Sequence, residues 1–176
     1  MTRGWTGLLC SVLFLAVCTA TPSFTAGAAD NNPVRVQIEI PKDRYTVGEP
    51  FSFTLKSTRD CHFIVFTIDA SDHVELHDPS TNEPYMGSPI LRAGEVRTVP
   101  VSGAPGRAII TPPTGPYEIG AVCGRDQLAA YGLDSAAMVT PAQSGRRGFK
   151  FFLDKAVGGF NREGLSLITV TFSIEN

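Results

Sequence analysis

The sequence predicts a mainly β protein, an antiparallel β-sandwich of immunoglobulin-like character with one or two short helices, an open barrel being the alternative that periodicity does not separate from it. Three observations carry this: runs of period-two alternation, turn residues between them, and one strand apolar on both faces. They divide the chain into a leader, residues 1–29, and a single β-sandwich domain, residues 30–176.

The leader begins with the lone cation Arg3, continues through an apolar run from Leu8 to Val17, and ends in the small residues Ala26-Gly27-Ala28-Ala29. That pattern predicts a cleavable secretory signal peptide, cut after Ala28 or Ala29. The apolar run is too short to span a bilayer, which takes about 20 residues. Cys18, preceded by Leu15-Ala16-Val17, resembles a lipidation box, but Val17 is bulky where such boxes carry a small residue. The expected compartment is therefore periplasmic or extracellular, with no stable membrane insertion after cleavage.

Val34 to Ile40 alternates, with Val34, Val36, Ile38 and Ile40 on one face, and reads as a half-buried strand ended by Pro41. Tyr45 to Pro50 carries turn residues. Phe51, Phe53 and Leu55 then alternate with Ser52, Thr54 and Lys56 as a second strand. Cys61 to Ile68 is apolar on both faces, as a central strand must be. Asp69 to Asp72 supplies a turn, and His73 to His77 returns as the second arm of a hairpin with Val74 and Leu76 inward.

The stretch from Asp78 to Pro89 reads as an irregular surface loop; Val96 to Val101 and Arg107 to Thr111 read as short strands. Gly115 to Gly124 places Tyr117, Ile119, Ala121 and Cys123 on one face. Asp126 is positioned to cap a short helical turn from Leu128 to Tyr131, stopped by Gly132. Asp134 to Gly148, small and polar with Pro141, reads as a loop, and the doublet Arg146-Arg147 within it as a solvated charge or a protease-sensitive site. Phe149, Phe152, Leu153 and Ala156 recur at helical spacing and mark an amphipathic helix ended by Gly158-Gly159. Ile168, Val170, Phe172 and Ile174 form the last alternating strand.

Cys10 and Cys18 fall in the leader, so the mature chain keeps Cys61 and Cys123, both on apolar faces. An exported protein with an even pair of cysteines favours a disulfide between them, two buried thiols being the alternative.

Tyr45 to Phe51, the alternating Phe53 and Leu55, and Ser57 with Arg59-Asp60 leading into an aromatic-rich strand resemble a bacterial family, domain-of-unknown-function family 4384. The resemblance continues through Val65 to Asp72, the Ala93-Gly94-Glu95 turn before Val99-Pro100, and Gly115 and Glu118 before Cys123, spanning roughly residues 45–124. The chain departs from the family pattern at Ser71-Asp72-His73 and at His77 to Ser80. The resemblance implies an extracytoplasmic domain, alone or appended to peptidases and envelope proteins, and supplies no catalytic residue to carry over.

With 15 Lys and Arg against 17 Asp and Glu, the formal net charge is −2, and no basic stripe offers to neutralise a phosphate backbone, so nucleic acid is not an expected partner. No G-x-S-x-G elbow, zincin motif or Gly-rich phosphate loop is present, and no cofactor is expected. His73, Glu75 and His77 share one side of a strand, a workable chelate for zinc or copper, yet a solvated face accounts for them equally. The hairpin's His and Asp residues similarly admit a small hydrolase, though the Asp residues are better explained as turn formers. The expected function is a non-catalytic binding or accessory module of the cell envelope. Its partner is another envelope or secreted protein, met through the 78–89 loop at Tyr85 and Met86.

Overall fold

The computed structural model describes residues 32–159 and 164–176. The expected signal peptide, its cleavage site, Cys10 and Cys18 lie outside the described residues. The fold is mainly β, with two sheets and three short helices.

The first sheet is antiparallel and three-stranded. Strand β1 (Val36–Glu39) pairs with β3 (Phe53–Ser57), which pairs with β7 (Val96–Val99). Its register, Ile38 opposite Leu55 and Phe53 opposite Val99, puts the alternating apolar residues on one buried face. The second sheet runs β2 (Arg44–Thr46), β9 (Leu165–Glu175), β8 (Gly115–Gly124), β4 (Cys61–Ile68) and β5 (Val74–His77), with β6 (Ile90–Leu91) also paired to β4.

This second sheet is mixed, because β2 runs parallel to β9, Tyr45 opposite Ile174. The expectation of purely antiparallel sheets is corrected here. Tyr45 and Thr46 lie within the stretch read as a turn, yet Tyr45 is buried, with its ring edge-on to Phe51 and Phe172 at 5.2 and 5.6 Å. Three residues are too few to show alternation, and burial against aromatics overrides the turn residues around them.

Strand β4 is central, as its two apolar faces require. Phe63 and Val65 join an apolar cluster drawn from both sheets, while Ile64, Phe66 and Ile68 face a second cluster that includes Phe149, Leu153 and Met138. Those three belong to the helices α2 (Ser135–Gln143) and α3 (Gly145–Gly159). The segment 134–148, read as a loop, is thus largely helical. The Asp134 carboxylate accepts the Ala137 N–H at 2.8 Å as an N-cap, and Met138 and Ala142, four apart, are buried. The expected helix over 149–156 is the middle of α3, with Phe149 and Leu153 buried. A 3-10 turn, Leu128–Tyr131, ends at Gly132 in the left-handed conformation, as expected, but Asp126 does not cap it and instead accepts the Tyr131 hydroxyl at 3.1 Å.

Cys61 and Cys123 are joined, Cα to Cα 5.7 Å, across the adjacent strands β4 and β8. Closing a loop of this length is worth roughly 4 kcal/mol by chain entropy.

Candidate functional site

At the open end of the two sheets, where β5 and β7 are the terminal strands, the described residues enclose a cleft of about 200 Å³. Its walls are mainly apolar and include four neighbouring rings: Phe53 from β3, Tyr117 from β8, Phe172 from β9, and Phe51 just before β3. Phe51 stacks on Phe172 at 5.2 Å and Tyr117 lies 5.6 Å from the same ring, so the wall is continuous.

Two irregular segments close the rim. Residues 108–110 are held against 48–51 by the bonds Gly48 N–H to Ile110 O, Ile110 N–H to Glu49 O and Phe51 N–H to Ala108 O, at 2.8 to 2.9 Å. Only one isolated bridge, Pro50 to Ile109, forms there, so the strand expected over 107–111 is not made. Pro112 and Pro113 follow directly and have no N–H to extend a ladder. The other rim is a four-residue helix, α1 (Glu83–Met86), inside the segment read as a surface loop. Val101 N–H donates to Tyr85 O at 2.9 Å and fixes it in place.

Helix α1 corrects the expected partner surface. Met86 is 1 % exposed and belongs to the core, and Tyr85 is half-buried and lines the cleft, so neither stands out as an exposed contact residue. A sequence reading sees Pro, Ser and Asn around them but not the groove that receives them.

Strand β5 supplies the polar end. Val74 and Leu76 face the helices, so Glu75 and His77 point toward the cleft beside Thr67 of β4. His77 Nε2 lies 3.2 Å from Thr67 Oγ1, and Nδ1 lies 4.0 Å from Glu75 Oε1. Burial pushes the imidazole below its ordinary value and the Glu75 carboxylate opposes this, which favours a neutral ring at neutral pH. His73 is separate: it precedes β5, is exposed, and lines a shallow depression with Val139 and Gln143 of α2. His73 and His77 therefore open into different hollows, with Glu75 lining both. Among the described residues, no group of three or more His, Cys, Asp or Glu is placed to hold a metal ion.

A second polar cluster lies on the helical side of the sheet. Glu118 is 2 % exposed, and its Oε2 accepts from Lys150 Nζ at 2.8 Å and Arg146 Nη1 at 3.3 Å. Arg146 also donates to Asp72 Oδ1 at 2.6 Å and to Asp69 O at 3.1 Å. The reading of Arg146 as a solvated loop charge is corrected: it clamps α3 to the β4–β5 turn and to β8. The signal was available, because a carboxylate inside an apolar strand needs a counter-charge.

Comparison with known proteins places the resemblance. Residues 44–127 match DUF4384, a domain of unknown function. The DUF4384 segment covers the span expected from sequence and contains every cleft-lining residue except Phe172 and Ile174, which the last strand adds. No curated protein matches the chain. Among solved structures it is similar to the crystal structure of Spo0M, a sporulation control protein from Bacillus subtilis, at 12% identity and a TM-score of 0.34. The alignment covers 82% of this chain and 50% of that one, so the chain spans about half that protein's length.

Proposed function

We propose that the chain is an exported, non-catalytic binding module of the cell envelope, an immunoglobulin-like sandwich that takes its ligand in the cleft between its sheets. The observation that carries this reading is the cleft: a concave, mainly apolar site with a few convergent polar groups, the usual form of a ligand site. The leader pattern and the disulfide support an oxidising compartment outside the cytoplasm. The DUF4384 match covers most of the cleft's lining and names no activity.

The test is site-specific photo-crosslinking in intact cells. A crosslinker at Ile109, 55 % exposed on the cleft rim, is expected to capture a partner. One at Val96, 63 % exposed and outside the cleft, is expected to capture none. Equal capture from both positions, or none from Ile109, contradicts the reading. N-terminal sequencing of the exported protein checks its compartment, with Ala29 or Asp30 expected as the first residue.

A further inference from the structure

The cleft's chemistry narrows what it takes. Five of its lining side chains are aromatic: Phe51, Phe53, Tyr85, Tyr117 and Phe172. Among the described lining residues Glu75 is the single carboxylate and none is Lys or Arg, and His77 is held toward its neutral form.

Resting on the binding-module reading above, we propose that the cleft is a site for an organic cation, an ammonium group on a short apolar stem. The stem packs against the aromatic walls and the ammonium group meets ring faces and the Glu75 carboxylate. A ring face carries negative electrostatic potential and attracts a cation most strongly where water is excluded. An alkyl chain with one charged end matches walls that are apolar with one acidic mouth. Size agrees: an apolar cavity of about 150 Å³ holds a benzene molecule, so about 200 Å³ holds a stem of a few carbons and not a large ligand. The same chemistry comes from a free alkylamine or from a Lys side chain of a partner protein.

The experiment follows the aromatic and His77 resonances of the mature protein by NMR during titration. The probes are n-butylammonium, its neutral counterpart n-butanol, and Nα-acetyl-lysine amide. The expected result is at least about fivefold tighter binding of n-butylammonium than of n-butanol, with shifts at Tyr85 and Tyr117, and loss of that preference in Glu75→Gln. Glu75 is exposed, so that variant keeps the fold. Tighter binding of the lysine amide than of n-butylammonium assigns the cation to a protein partner, and equal binding assigns it to a free amine; both sustain the proposal. Equal binding of n-butylammonium and n-butanol overturns it while leaving the cleft a ligand site. No shift with any probe up to about 10 mM, weaker than the millimolar range in which fragments register, overturns both.

Discussion

Glu118 and His77 show how single residues in this chain depend on what surrounds them. Glu118 is buried inside a sheet, and Arg146 and Lys150 reach its carboxyl group from α3. Removing Arg146 leaves Glu118 with Lys150 alone and breaks the bonds to Asp72 and Asp69, so Arg146→Met is expected to destabilise the protein by about 2 kcal/mol in urea unfolding. A change within about 0.5 kcal/mol, the ordinary surface value, would return Arg146 to the solvated role its neighbours suggest. His77 gives a pH dependence. Its folded-state value is lowered by burial, so the unfolded chain binds the proton more readily. Its contribution is fully present above the unfolded value of about 6.5 and is lost as pH falls from there toward the folded value. Stability of the wild type is expected to decrease between neutral pH and about pH 5 more than that of His77→Gln; parallel curves for the two would contradict the burial argument.

At the scale of elements, legibility followed the length of the pattern. Strands β4, β8 and β9, eight to eleven residues long, were plain from alternation or from two-faced apolarity. The three-residue β2 and four-residue α1 were not, since neither is long enough to show a period, and both are fixed by packing of Tyr45 and Met86. Helix α2 was hidden by Pro141, which signals a break, although Asp134 three residues before Ala137 is a capping pattern. The cleft was invisible for another reason: its walls come from positions 51 to 174, and no local pattern says that Phe51 stacks on Phe172. One element contact carries a further prediction. Gly120 of β8 lies under the Phe66 ring, which a Cβ would approach to 2.2 Å, and that ring packs edge-on against Phe149 of α3 at 5.0 Å. Gly120→Ala is expected to cost about 2 kcal/mol, and Phe66→Leu in the same chain to recover part of it. Additive losses in the two variants would show that ring and glycine are not coupled.

On the scale of the whole molecule, the central sheet is packed on both faces. One face shares a core with the three-stranded sheet, and the other is covered by α2 and α3 through Met138, Phe149 and Leu153. The disulfide joins the two middle strands of that sheet, β4 and β8, and Arg146 pins the helices to its edge hairpin. Between β5 and β7 the described residues form the aromatic-lined cleft. Among the described residues no helix is long and apolar enough to cross a membrane. Occupation of that cleft is what the functional account depends on, and blocking it tests the account most directly. Thr111 is exposed at the rim, so Thr111→Trp is expected to fill the opening without disturbing the core. Crosslinked capture from Ile109 should fall to background in this variant while its thermal midpoint stays within about 2 °C of wild type. Undiminished capture by a folded Thr111→Trp protein would contradict the account.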